Sequence, residues 1–270
     1  MDSADAKAHQ RIGMLLTRVL IVDPLPASIK LISELLRDVG HCQIWAAAAA
    51  SHALAVASRI DPHLVVVEHC EGLNGVAFAR DLRRSDLSCR KAPVIMISAE
   101  ATASVILGAR DAGVHEFLRK PFTIKDLVRR LEAVALKPRD WVEGIGYVGP
   151  DRRRFNSGDY AGPLKRRVDH AVTPDEARIV QALKILKSAM FAIESDPAQA
   201  LRAMRAQACD LATAAKAVGD TELRAEAVAL GERLESLDPL VLKVARLDTL
   251  IAPLVARLPQ GEAAGRKSAA

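Results

Sequence analysis

Aromatic residues are scarce in this chain, with 2 Trp, 2 Tyr and 5 Phe in 270 residues, whereas alanine alone accounts for 47. A composition rich in Ala and Leu and poor in rings suits helices and argues against an all-β sandwich. Long hydrophobic runs are also missing. Uninterrupted apolar stretches last a handful of residues, far below the roughly 18–20 needed to cross a bilayer, so no membrane insertion is expected. The N-terminus, Met1 to Arg18, has no hydrophobic signal core. The four cysteines (Cys42, Cys70, Cys89, Cys209) are scattered without a C-x-x-C pair, which suggests neither a disulfide frame nor a zinc knuckle. Together these absences predict a soluble, cytoplasmic protein. Neither sign of charge dominates: 38 Lys and Arg stand against 33 Asp and Glu, a net +5. At roughly 100–200 residues per domain, the length suggests two compact units.

The first half is a series of alternating strand and helix patterns. Val19 to Val22 is a short β-branched run ending in Asp23-Pro24. Ile29 to Val39 places Ile29, Leu31, Ile32, Leu35 and Leu36 mainly on one helix face, and Gly40 stops the helix. Cys42 to Trp45 reads as a second strand, followed by an Ala-rich helix up to Ile60. Leu64 to Val67 is continuously apolar, as expected of a strand covered on both faces. A helix from Gly75 to Arg84, a strand from Val94 to Ile97, a helix from Ser104 to Ala112, a strand from Glu116 to Leu118 and a helix from Ile124 to Leu136 complete the series. This alternation implies an α/β domain, a parallel sheet with helices on both faces. In such sheets, functional groups gather at the carboxyl ends of the strands. Those ends carry Asp23 and Pro24, Glu68, Ser98 and Lys120, so two carboxylates, a hydroxyl and an amine share one edge.

Five stretches carry a family resemblance: Val19 to Asp23, Asp61 to Glu68, Leu73-Asn-Gly75, Val94 to Ala99, and Phe117-Leu-Arg-Lys-Pro-Phe122. On these, residues 17–137 resemble the receiver domain of bacterial response regulators, over a little under half the chain. The resemblance implies a flavodoxin-like five-stranded sheet in the order 2-1-3-4-5 and a place in two-component (phosphorelay) signal transduction. Receivers of that family carry two adjacent acids after the first strand, which help hold Mg²⁺, and an aspartate after the third, which accepts a phosphoryl group. Here Pro24 follows Asp23, and Glu68 stands at the acceptor position. Asp23, Glu68 and the carbonyl near Cys70 amount at most to a weak Mg²⁺ site, with Glu71 a candidate to reach back. No other cofactor is expected.

Glutamate exceeds aspartate by one methylene, about 1.5 Å. A displacement of that size at an in-line centre costs about 10²-fold in rate. The same methylene carries the carboxylate toward Lys120 and Ser98. The expectation is a lasting Glu68–Lys120 pair, hydrogen-bonded to Ser98, with Phe117 at the family's aromatic switch position packed inward. That describes a pseudo-receiver, a non-enzymatic adaptor. Two alternatives stay open: a degenerate domain with no switching, and a residual phospho-acceptor at Glu68. His69 and Cys70 lie side by side with diverging side chains and read as incidental loop residues. His41, His52, His63 and His115 are isolated.

Residues 138–170 read as a basic Gly/Pro/Arg linker; from Lys137 to His170 there are 8 basic and 5 acidic residues. Tyr147-Val-Gly-Pro-Asp-Arg152-Arg153-Arg154 recurs as Tyr160-Ala-Gly-Pro-Leu-Lys165-Arg166-Arg167. These triplets are candidates for anion or nucleotide binding, because guanidinium forks beside a tyrosine grip phosphates and stack on bases. A cyclic dinucleotide is the ligand some arginine-tailed family members take. The competing reading is a solvated linker lying on acidic helix faces of its own chain.

Residues 171–258 carry four helical patterns. A capping box, Thr173-Pro-Asp-Glu176, opens the first, and Asp196-Pro197, Asp220-Thr221 and Asp238-Pro239 open the others, the last interrupted at Pro253. Short connections make neighbours antiparallel, which predicts an all-α bundle. Ala-rich seams on the second helix suit close approach of a neighbour or a homodimer face. The only His beyond His115 is His170, outside these helices, which excludes a histidine phosphotransfer role. With 11 basic and 12 acidic residues from Ala171 to Leu258, no DNA binding is expected. Contact with a signalling or cell-machinery protein is what remains. Residues 1–16 and 259–270 read as flexible ends.

Overall fold

The computed structural model describes residues 10–152, 173–244 and 247–258. The chain forms two compact units, Met1–Val142 with Tyr147–Gly162, and Glu143–Gly146 with Pro163–Ala270.

In the first unit, strands β1 (Arg18–Val22), β2 (Gln43–Ala47), β3 (Leu64–Glu68), β4 (Val94–Ser98) and β5 (Glu116–Arg119) form a parallel sheet in the order β2-β1-β3-β4-β5. Helices α1 (Pro26–Val39), α2 (Ala50–Ile60), α3 (Gly75–Arg84), α4 (Ala103–Asp111) and α5 (Ile124–Leu136) alternate with them. Successive strand residues point to opposite faces, and both faces are apolar. Leu20, Val22, Val65, Val67, Met96 and Phe117 join one core with Val56, Phe78, Leu82 and Ala109. Val19, Ile21, Leu64, Val66, Ile95, Ile97 and Leu118 join the other with Ile32, Leu36, Leu127 and Leu131.

Three details depart from the periodicity. Pro26, at the first helical position, starts α1 before Ile29, and Leu31 is 52 % exposed rather than on the buried face. Strand β2 starts at Gln43 and runs on to Ala47. Residues 10–15, expected to be flexible, are helical, and Ile12 and Leu16 are buried in the second core. This turn lies so close to the end of α1 that a Cβ on Gly40 would stand 2.8 Å from Gly13 Cα.

The segment expected to be a linker contains a two-stranded sheet, β6 (Trp141–Glu143) with β7 (Val148–Pro150). Its anchor in the first unit is Arg83, whose guanidinium is buried and, among the described residues, makes no ion pair with a carboxylate. Arg83 donates to the carbonyls of Gly113 (2.9 Å), Arg90 (2.7 Å) and Ala92 (2.9 Å) and to His115 Nδ1 (3.1 Å). The Trp141 ring lies over it, 5.4 Å from the guanidinium carbon. Burial pulls the Arg83 pKa down to about 9, which leaves it charged at neutral pH. Arg139 donates to the His115 carbonyl and stands 4.0 Å from Glu116. Gly113, at φ +83°, has no room for a Cβ, which would meet Val148 O at 2.5 Å.

The second unit is built from α6 (Pro174–Ala192), α7 (Pro197–Val218), α8 (Thr221–Glu235), a 3₁₀ turn (Pro239–Val244) and α9 (Asp248–Ala256). Thr173 and Glu176 form the capping box of α6, Asp196 and Asp220 cap α7 and α8, and Gly219 ends α7 at φ +77°. The fourth pattern divides: Asp238-Pro239 opens only the 3₁₀ turn, and Pro253 lies inside α9 instead of interrupting it. Helix α7 packs against both α6 and α8, with Ala200, Ala203, Ala208 and Ala215 buried. The alanines thin a helix that has two neighbours in its own chain, which is the close-approach use of such a seam. Arg205 donates to the carbonyls of Leu234 (2.9 Å), Glu235 (3.2 Å) and Leu237 (2.8 Å), closing the end of α8. Gln199 and Gln207, both buried, hold Glu143 and Gly144 through their side-chain amides. Among the described residues no helix is long and apolar enough to cross a membrane.

His115 gives the first unit a pH dependence. Its Nδ1 faces the Arg83 guanidinium and also accepts from Val94 N–H at 3.2 Å, so the folded ring is neutral. Burial first, then Arg83 and Arg139, hold its pKa well below 6.5. The unfolded chain therefore binds a proton that the folded chain refuses, and stability falls as pH drops below 6.5. Chemical denaturation of wild type and His115→Gln at about pH 7.5 and about pH 5.5 should differ in their change by about 1 kcal/mol, the wild type losing more. Equal changes in the two proteins would remove His115 as the source.

Candidate functional site

In-register pairing aligns the carboxyl ends of the strands. Val22 pairs with Val67, Glu68 with Ile97, and Ser98 with Arg119, so Asp23, Glu68, Ser98 and Lys120 meet at one edge. Asp23 and Ser98 are fully buried and Glu68 is 5 % exposed. The loop after β3 turns tightly, with Cys70 bridging to Leu73, and Asn74 caps α3 through Ala77 N–H. Gly75 is required there, because a Cβ would lie 2.4 Å from the Glu68 carbonyl. Lys120 follows β5, donates its N–H to the Ser98 carbonyl at 2.9 Å, and precedes a cis bond to Pro121.

Glu68 Oε2 lies 2.5 Å from Lys120 Nζ, an ion pair whose acid is buried and whose base is partly open to solvent. Burial pushes the Glu68 pKa up, the Lys120 ammonium pulls it down, and Asp23 raises it again. The Ser98 hydroxyl does not join this pair. It donates to the His69 carbonyl at 2.6 Å and accepts from Glu100 N–H at 3.0 Å, which corrects the expected bond to Glu68. A β4-end hydroxyl within reach of a neighbouring backbone carbonyl takes the fixed acceptor over a carboxylate already occupied by an ammonium. Phe117 is buried in the core with Met96, Ala109 and Val114.

Asp23 Oδ1 accepts from Leu25 N–H at 2.8 Å, while its buried Oδ2 has no hydrogen-bond partner among the described residues. That orphaned oxygen and Glu68 Oε2 are the carboxylate donors at this edge. Mg²⁺ takes near-octahedral oxygen ligands. One of these two oxygens is already held by an ammonium, Pro24 offers no side-chain ligand, and Glu71 is exposed. Among the described residues no group of three His, Cys, Asp or Glu side chains could hold a metal ion. Asp23 Oδ2 is thus the one of these two carboxylate oxygens not already held by a cation or a hydrogen bond, a single side-chain donor for Mg²⁺.

Of the six basic residues considered for anion binding, Arg153, Arg154, Lys165, Arg166 and Arg167 lie outside the described residues. Arg152 is engaged within the first unit. It pairs with Asp111 at 2.9 Å and stacks over Tyr147, 4.5 Å from the ring centroid. Tyr147 is buried and donates its hydroxyl to the Pro150 carbonyl at 2.5 Å. Sequence reasoning missed Asp111, Arg83 and Trp141. The available signal was the placing of Trp141 and Tyr147, two of only four Trp and Tyr residues, in a stretch otherwise typical of a solvated linker.

Residues 19–132 match the family described as the response regulator receiver domain. The chain is 31 % identical over 118 residues to chemotaxis protein CheY-3 of Vibrio cholerae, spanning 43 % of this chain and 90 % of that protein. It is 30 % identical to chemotaxis protein CheY of Pseudomonas aeruginosa, over 43 % of this chain and 94 % of that one. Among solved structures, chemotaxis response regulator CheY4 of Vibrio cholerae aligns at 23 % identity with a TM-score of 0.39, covering 44 % of this chain and 98 % of that one. This chain belongs to the response-regulator receiver family. It carries a CheY-like receiver domain of two-component signalling.

The ion pair makes a pH-dependent prediction. Lys120→Met leaves the Glu68 carboxylate buried without its cation, which costs about 1–3 kcal/mol at neutral pH, Lys120 being partly solvated. Because the folded pKa of Glu68 is raised, protonation on acidification relieves that cost first in the folded state. Urea unfolding should show the variant destabilised near pH 7.5 and largely recovered near pH 5. A loss of equal size at both pH values would show that Lys120 contributes only its aliphatic packing.

Proposed function

We propose that this receiver works without a phosphoryl group and that the Glu68–Lys120 pair occupies the place a phosphoryl group would take. The observation that carries this reading is the 2.5 Å approach of Lys120 Nζ to a buried Glu68 at the end of β3. In a receiver that depends on an aspartyl phosphate, the lysine after β5 faces the transferred phosphoryl oxygens. Here a carboxylate one methylene longer meets it directly. Three further features support the reading. Pro24 removes one of the paired acids, Asp23 Oδ2 is the single side-chain oxygen left for Mg²⁺, and Phe117 is already packed inward, 3 % exposed. Phosphoryl transfer rests on placement and charge neutralisation, and this edge is poorly equipped for both.

On this reading the chain is a non-enzymatic adaptor. Residues 17–137 form a receiver held in one state, and the helices of residues 171–258 supply contacts to a partner protein. Receiver domains act through other signalling proteins, and the output here is protein–protein contact rather than DNA binding.

Intact-mass analysis of the full chain after incubation with acetyl phosphate and Mg²⁺ tests this directly. Wild type should show no adduct, whereas the double variant Pro24→Asp, Glu68→Asp should acquire one. A stable phosphoryl adduct mapping to Glu68 in wild type would overturn the proposal and make the domain a phospho-switch with glutamate chemistry.

A further inference from the structure

The outer face of α6 differs from the rest of the second unit. On a helix of 3.6 residues per turn, Ala177, Gln181, Lys184, Lys187, Ser188 and Phe191 share one face, and all six are exposed. Phe191 is 79 % exposed, the most open large hydrophobic side chain among the described residues. In a chain with only 5 Phe, two of them (Phe78 and Phe117) are core residues, so a ring fully in water is a costly use of the type. Lys184 and Lys187 lie two turns and one turn before the ring, and neither has a carboxylate partner among the described residues. No acid interrupts α6 after Glu176. The stripe is thus locally cationic although Ala171 to Leu258 carries 11 basic and 12 acidic residues.

We infer that this face docks an acidic segment of a partner protein, with Phe191 as the apolar anchor and Lys184 and Lys187 as the charged rim. From Ala177 to Phe191 the stripe is about 21 Å long, enough for four turns of a partner helix. An aromatic anchor beside unpaired lysines matches the anatomy of small interaction surfaces, where one buried ring carries most of the affinity and charges set orientation. A lipid surface fits poorly. Of the other apolar residues of α6, Ala182, Leu183, Leu186, Ala189 and Ala192 are buried in the bundle and Ile179, Ile185 and Met190 pack half-buried against it, which leaves one fully presented ring where an interfacial helix needs a broad apolar face. Nucleic acid fits poorly as well, since two lysines make few phosphate contacts. The inference uses α6 alone and stands or falls independently of how Glu68 behaves.

The test is fluorescence anisotropy of the full chain with a labelled, helix-forming Glu-rich peptide bearing one row of leucines. All substituted positions are exposed, so the variants should fold as wild type does, which circular dichroism checks. Binding should weaken about tenfold or more in Phe191→Ser. It should also weaken in Lys184→Glu/Lys187→Glu, and for wild type it should fall with added salt. Failure of the peptide to bind, or unchanged affinity in both variants, would overturn the inference. So would Phe191-dependent binding to anionic phospholipid vesicles in place of the peptide, or Phe191-dependent self-association measured by sedimentation.

Discussion

A parallel sheet covered on both faces has no place for charge along its strands. Every residue of β3 and β4 is buried, and β1 is buried from Val19 onward. Polar groups are therefore confined to the two ends of the sheet, where strands meet loops. At the carboxyl end this gathers Asp23, Glu68, Ser98 and Lys120, and at the amino end His115 with Arg83 beside it. The site is a consequence of the core, because the same alternation that fills both faces also brings those strand ends into register.

The two ends solve the burial of charge differently. At the carboxyl end a carboxylate faces an ammonium, and a neighbouring carboxylate, Asp23, keeps one oxygen unsatisfied. Such a pair gives back in attraction roughly what it loses in hydration, so its worth lies in specifying geometry more than in adding stability. Replacing both partners by apolar groups would then be gentler on the fold than removing one. At the amino end the Arg83 guanidinium is held by carbonyl dipoles and an imidazole nitrogen, while the carboxylate nearby, Glu116, is taken by Arg130 and Arg139. That arrangement demands several acceptors held at once, which ties α3, the 3₁₀ turn at Ser88–Lys91 and the start of β5 together.

Most of the first unit was legible in the sequence because its elements are strongly periodic and punctuated. Gly75, Gly113 and the Lys120-Pro121 pair mark positions where backbone conformation leaves few alternatives. The strand ends followed from the alternation, and the meeting of Glu68 and Lys120 from the resemblance to receivers. The partner of Ser98 did not, because two acceptors lie within a side chain's reach and only three-dimensional placement decides between them. Leu31 was misplaced since a helix face read from five apolar residues is wider than the surface the sheet can cover. In the second unit the caps at Thr173, Asp196 and Asp220 were explicit, whereas Asp238-Pro239 offered the same signal to a segment that makes only a 3₁₀ turn. A cap announces a start and says nothing of length.

The ribbon of β6 and β7 was hidden for a different reason. Gly, Pro and Arg are frequent across residues 138–170 that contain it, and each of those residues normally argues for solvent. Here the glycine, the proline and the arginine each serve a contact. Gly149 stands where a Cβ would lie 2.7 Å from the Tyr147 hydroxyl and equally close to Gly113 Cα, so the strand can lie flat only without a side chain. Pro150 offers its carbonyl to that hydroxyl, and Arg152 covers the outer face of the same ring while bonding to Asp111. Trp141 meanwhile lies over Arg83, whose burial to 1 % exposure depends on what covers it. A guanidinium this buried is too costly to leave half covered, so Arg83 and the ribbon stabilise each other. By that argument the first compact unit of this chain continues past α5 and includes the ribbon's first-unit residues.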